Sequence, residues 1–196
     1  MGYTTDFIGH IDVSPPMNQD EQSYLTAFSQ SRRFDREGGP YEVPGNPVAE
    51  ARAPRTVPVE TYNRTAPQQP GLWCGWVPCW DGCCLSYDGI EKFYGAAGWL
   101  EYVAEHFLRP GAYAQASGLV CFEAFTFDHR LDGVIAGCRR DNKELFLIRV
   151  EDNVVREQVL RPADPRYVDY PPLPYEVMND RWESESSKKR RARRKA

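Results

Sequence analysis

Proline fixes φ and removes a backbone donor, so it ends helices and is kept out of central strands. In this chain its distribution decides where regular structure can form. Seven of the sixteen prolines (Pro40, Pro44, Pro47, Pro54, Pro58, Pro67 and Pro70) fall between Gly38 and Gly71, with few apolar residues between them. Residues 38–71 therefore read as a long loop or extended arm. Five more, Pro162, Pro165, Pro171, Pro172 and Pro174, open a polar, Ser-rich, charged end. That end is expected to stay disordered unless a partner orders it. A packed core must be built from the stretches before Gly38 and from Leu72 to about residue 160.

Within those stretches the periodicities are clear. Residues 3–13 alternate, placing Phe7, Gly9, Ile11 and Val13 on one face and Asp6, Ile8, His10 and Asp12 on the other, and Pro15 and Pro16 end this strand. Asn18 with Glu21 three residues later forms a variant capping box, and Tyr24, Leu25 and Phe28 follow at helical spacing, predicting a helix from about Gln19 to Arg33. Leu72–Val77 and Cys83–Tyr87 flank Asp81-Gly82, which supplies the positive-φ residue of a tight hairpin. Capped by Asp88 or Gly89, a second helix is predicted from Ile90, Phe93, Tyr94, Ala97, Leu100, Ala104, Phe107 and Leu108, with Pro110 and Gly111 as its stop. Strand-like runs follow at 119–127, 133–138 and 144–150.

At 196 residues, 41% hydrophobic and 13% aromatic, the chain has room for one domain-sized core. The order β-α-β-β-α-β plus further strands predicts a single α+β domain over residues 1–160. A ferredoxin-like βαββαβ sandwich with extra C-terminal strands fits that order, residues 38–71 being an arm within it. Residues 161–196 form a proline-rich, charged tail. The start lacks a basic n-region and an apolar stretch, and no window approaches the ~18 apolar residues needed to span a membrane, so a cytoplasmic protein without membrane contact is expected.

The net charge of −4 averages two unlike parts. Lys188, Lys189, Arg190, Arg191, Arg193, Arg194 and Lys195 carry seven of the 24 basic charges, leaving 17 against 28 acidic residues, a body at −11. A solvated cationic run binds polyanions by counterion release, so these seven residues are the candidate nucleic-acid contact. The acidic body opposes an RNA-binding reading of its sheet.

Site chemistry is otherwise sparse. Glycine-rich phosphate loops, Gly-x-Ser-x-Gly and His-Glu-x-x-His are absent. Four cysteines cluster as Cys74, Cys79, Cys83 and Cys84, but only half of a paired zinc spacing is present, so thiols packing in strands are expected, with neither metal nor cofactor. His10 and Asp12 share a strand face that Cys74 or Cys84 could approach, which keeps a cysteine-dependent enzyme as an alternative. Trp73, Trp76, Trp80 and Trp99 lie in an aromatic-rich stretch and are the candidate partner-binding surface.

Met1-Gly2-Tyr3-Thr4-Thr5, Gly71-Leu72-Trp73-Cys74-Gly75-Trp76-Val77-Pro78, Gly89-Ile90-Glu91-Lys92-Phe93-Tyr94, Trp99-Leu100-Glu101-Tyr102 and His106-Phe107-Leu108 together resemble a family of uncharacterised bacterial and phage proteins with no assigned activity. The resemblance spans most of residues 1–142 and implies a bacterial or phage origin. The function expected on these grounds is a non-enzymatic, protein-binding or regulatory module whose basic tail contacts nucleic acid. A nucleic-acid-associated protein with the tail as its main site is the other alternative.

Overall fold

Alternation along β1 (Thr5–Ser14) organises the whole sheet. Ile11 and Val13 are buried, with Phe7 packed beside them, while Ile8 on the opposite face is 77% exposed. In the computed structural model, which describes residues 3–47, 50 and 57–164, β1 is a central strand. With β2 (Trp76–Pro78), β3 (Cys84–Tyr87), β4 (Arg130–Arg139), β5 (Leu145–Glu151) and β6 (Val154–Arg161) it forms a six-stranded sheet in the order β2-β3-β1-β4-β5-β6. Every neighbouring pair is antiparallel. The chain is thus of mixed α+β class. A contiguous unit ends at Ala163; of the second unit, Asp164–Ala196, only Asp164 is among the described residues.

Register on the inner face pairs large residues with glycine. Ile11 stands opposite Gly133 and then Val150, while Phe7 stands opposite Gly137 and then Phe146. A Cβ on Gly137 would overlap the Phe146 ring, so the missing side chain makes room for an aromatic group in which Phe7 also contacts Trp76, Tyr87 and Phe93. Burying such rings is the main apolar gain available to a domain of this size.

Helix α1 (Gln19–Gln30) begins where the capping box places it: Asn18 Oδ1 accepts from the Asp20 and Glu21 amides at 2.9 and 3.0 Å, and Glu21 Oε2 accepts from the Asn18 amide at 2.7 Å. It ends at Gln30 rather than Arg33, because Arg33 pairs its backbone elsewhere, donating to Leu72 and accepting from Ala66. Tyr24, Leu25 and Phe28 enter the core. Among the described residues of the arm, helical backbone occurs at Pro47 and Glu50 and in one turn, α2 (Val59–Tyr62). Its first part is anchored rather than draped: the fully buried Arg33 donates to the carbonyls of Pro40 and Glu42, and Tyr24 Oη donates to the carbonyl of Tyr41.

Two sequence expectations are corrected. The second helix, α3, spans Ala96–Val103 and starts late, since Lys92 and Gly95 adopt positive φ (61° and 66°) and Phe93 turns inward over Gly75, where a Cβ would come within 2.9 Å of its ring. It runs on into a π-helical turn, Ala104–Leu108. The run 119–127 forms no strand but a 3-10 turn at Val120–Phe122 followed by loop. Its backbone is satisfied by α1 instead, with Ala124 O accepting from Asn18 Nδ2 and the Thr126 amide donating to Glu21 Oε1, while Phe122 and Phe125 pack on Tyr24.

Helices α1 and α3 share one hydrophobic cluster with the inner sheet face, so the other face is left open. That face carries Ile8, His10 and Asp12 of β1 with Val134 and Ala136 of β4 and Leu147 and Arg149 of β5.

Candidate functional site

The four tryptophans do not form one surface. Trp76 and Trp99 are 1% and 0% exposed, their rings consumed by the core, and Trp76 Nε1 donates to Ala96 O at 2.8 Å. Trp73 is half-buried beneath the Arg32 guanidinium. Only Trp80, 91% exposed in the β2–β3 turn, is open to a partner. The alternation that puts Trp76 opposite Tyr87 on the inner face explains the difference.

Each histidine has a separate environment. His10 pairs with Asp12 at 3.2 Å on the open sheet face. Asp12, not His10, stands in register opposite Cys84, so a carboxylate rather than an imidazole neighbours that thiol along the face. His129 is buried against Glu21 at 3.1 Å, and its Nδ1 lies 2.7 Å from the Pro15 carbonyl. His106 sits in the π-helical turn, and burial pushes its imidazole down to about 4, so it is neutral at physiological pH.

Around His106 the fold builds a groove of about 600 Å³, lined by Tyr41, Tyr102, His106 and Tyr113 with Glu101, Glu105 and Gln68 among others. The His106 ring stacks on Tyr102 at 3.8 Å between centroids and lies 4.8 Å from Tyr113, and its Nδ1 is 2.7 Å from the Tyr41 hydroxyl. The extra residue per turn of a π-helix re-aims side chains, and such turns recur at functional sites. Here it accompanies three phenols, an imidazole and two carboxylates brought together. Among the described residues no lysine or arginine lines the groove, although Arg109 reaches Glu105 Oε1 at 3.0 Å from beside it. Such a lining suits a cation, through ring faces and carboxylate charge. Tyr41, from the arm, carries no sequence signal of joining Glu101, Tyr102, Glu105 and His106 of the second helix and its π-helical turn.

The cysteines separate into two environments. Cys74 is buried, and desolvation raises its thiol to about 11. Cys79, Cys83 and Cys84 converge at the β2–β3 turn, their sulfurs all within 4.8 Å of one another. Cys79 Sγ lies 3.7 Å from Cys83 Sγ and 3.0 Å from Asp81 Oδ1. Hydrogen bonds with Asp81 and Cys79 raise the Cys83 thiol to about 11, while burial and then Cys79 raise Cys84 to about 12. Neither is a standing thiolate nucleophile. The basic run Lys188–Lys195 lies outside the described residues.

No family model, no curated protein and no solved structure matches the chain. Among the described residues no helix is long and apolar enough to cross a membrane.

Proposed function

We propose that this chain is a non-enzymatic protein-binding module that takes a cationic segment of a partner into the groove formed by Tyr41, Tyr102, His106 and Tyr113. The observation that carries the reading is the lining itself: aromatic rings and the carboxylates of Glu101 and Glu105, the latter also paired with Arg109, with no lysine or arginine among the described lining residues. Aromatic faces and carboxylates attract ammonium and guanidinium groups, and a body at −11 draws a basic segment toward them. Tyr113, 57% exposed, stands at the groove's surface and serves as its contact residue. The open sheet face is a weaker candidate for nucleic acid, since it presents no Phe, Tyr or Trp for base stacking. For the fold, a ferredoxin-like core extended by β5 and β6 is the finer reading. The complete six-strand order is not that of the four-stranded fold; the run β2-β3-β1-β4 from one edge of the sheet, antiparallel throughout, is what supports it.

Calorimetric titration of the full chain with a short lysine- and arginine-rich peptide tests the binding reading. Tyr113→Ala and Glu101→Gln, both at exposed positions, are each expected to weaken binding roughly two- to five-fold, the range of an exposed cation–π contact. Equal affinity in both variants and wild type would remove the groove as the site. A second contact is proposed for Lys188–Lys195, on the strength of seven cations without an intervening acid. Deleting 188–196 should abolish salt-sensitive DNA binding, and a truncated chain that still binds DNA would rule the tail out.

A further inference from the structure

A chain with no paired zinc spacing nonetheless brings three thiols to one point. Cys79 ends the approach to the β2–β3 turn, and Cys83 and Cys84 lie on its return. Backbone bonds from the Cys79 amide to Cys84 O, at 3.0 Å, and from the Gly82 amide to Cys79 O, at 3.1 Å, close the turn around them. Gly82 has φ 74°, and its carbonyl accepts from the Met17 amide while Cys83 O accepts from Val13, so the turn is seated on the chain entering α1. The placement of the sulfurs is thus held by backbone on both sides.

Their spacing is that of metal ligands. Two thiolates bound to one zinc ion at about 2.3 Å, separated by the tetrahedral angle, lie about 3.8 Å apart. Cys79 Sγ and Cys83 Sγ are 3.7 Å apart, and Cys84 Sγ completes a triangle in which no separation exceeds 4.8 Å. A disulfide would require about 2.0 Å. The Cys84 amide points at Cys79 Sγ from 2.9 Å, an N–H···S contact that stabilises charge on sulfur, and the Cys83 amide donates to Asp81 Oδ1 at 3.3 Å. Cys83 is exposed and the other two are half-buried, so an ion reaches the triangle from solvent without the fold opening.

We infer that Cys79, Cys83 and Cys84 form a three-thiolate site for a single zinc ion, its fourth position open to water or to a donor from outside the chain. Soft thiolates select zinc over magnesium or calcium. Binding forms three Zn–S bonds as three thiol protons pass to buffer, and Asp81 then orders the turn as an outer-shell acceptor. This site lies on the β2–β3 turn and stands or falls independently of the His106 groove.

Cobalt(II) is the direct probe, added to the full chain under a phosphine reductant. Near-ultraviolet sulfur-to-cobalt charge transfer and tetrahedral visible bands are expected to saturate at one equivalent and to disappear on adding zinc. Trp80, inside the ligand turn and 91% exposed, should report the same titration by its fluorescence, a change that Trp80→Phe removes without removing the cobalt bands. Cys83→Ser, at an exposed thiol, should leave the circular dichroism unchanged. It should weaken metal binding by more than the roughly 10–100-fold that losing an outer-shell group costs. Cys121→Ser, exposed and outside the triangle, should change neither. Absence of charge transfer from the reduced protein, or unaltered cobalt binding in Cys83→Ser, overturns the assignment.

Discussion

Replacing Glu21 tests how α1 is fixed to the rest of the molecule. Glu21 and His129 are 0% and 1% exposed in their side chains and 3.1 Å apart. Burial works to raise the Glu21 carboxyl, but bonds from His129, Thr126 and Asn18 overcome it and hold the group at about 2. Burial likewise works against a charged His129, yet Glu21 and the Pro15 carbonyl keep its pKa above the ordinary 6.5. The folded carboxyl titrates below its unfolded value of 4.5, so its contribution is present above 4.5 and lost as pH falls through about 2. The folded imidazole titrates above its unfolded value, so its contribution is complete below 6.5 and lost as pH rises through the raised value. The pair therefore stabilises most between 4.5 and 6.5. Holding the carboxyl from 4.5 down to about 2 is worth up to about 3 kcal/mol, and removing one partner of a buried pair costs about 3–5 kcal/mol. Urea unfolding followed by tryptophan fluorescence should show a loss of that size for Glu21→Ala. Glu21→Gln removes the charge and keeps one acceptor oxygen, enough for either the Thr126 or the Asn18 amide but not both. His129, still buried, should then titrate below 6.5, so stability rises with pH across the histidine range where the wild type falls. Slopes of the same sign in both proteins would refute the ion-pair assignment.

Other perturbations probe the packing. Gly137→Ala forces a methyl into the Phe146 ring and should cost about 1–3 kcal/mol in thermal unfolding; an unchanged melting temperature would contradict the β4–β5 register. Arg33→Ala removes the bonds to the Pro40 and Glu42 carbonyls, costing about 2–3 kcal/mol, and should speed proteolysis between residues 38 and 47; an unaltered cleavage rate would mean the arm is held by something else. Ile8→Lys, on the open sheet face, should change stability by no more than about 0.5 kcal/mol, and a larger loss would show that this face is covered.

Local chemistry was legible in the sequence wherever neighbouring residues decide the outcome. The Asn18–Glu21 capping box, the alternation of β1 and the Asp81-Gly82 turn all form as their residue types dictate. Reading failed where distant residues compete. Ile90–Gly95 has helical spacing, but Phe93 gains more by entering the aromatic cluster over Gly75, and the helix waits until Ala96. Residues 119–127 have the β-rich composition of a strand, yet the side chains of Asn18 and Glu21 claim their backbone. Strand β6 carried an overlooked signal: Asp152 and Asn153 both adopt positive φ, 50° and 66°, as a two-residue hairpin turn demands. The groove was not legible because Tyr41 and His106 are 65 residues apart and meet only after the arm folds back on the π-helical turn. The thiol triangle was half legible, since the cluster is visible but Cys74, buried in the core just before β2, stands apart from the other three.

Recognition of a cationic segment at the groove is tested most directly by nuclear magnetic resonance of the full chain, titrated with a tetralysine peptide and, in parallel, a tetraglutamate peptide. With tetralysine, the ring resonances of Tyr113, Tyr102 and His106 are expected to shift together and saturate, and with tetraglutamate to stay in place. Shifts confined to other surfaces, with the three groove rings unmoved by tetralysine, would contradict the proposed function.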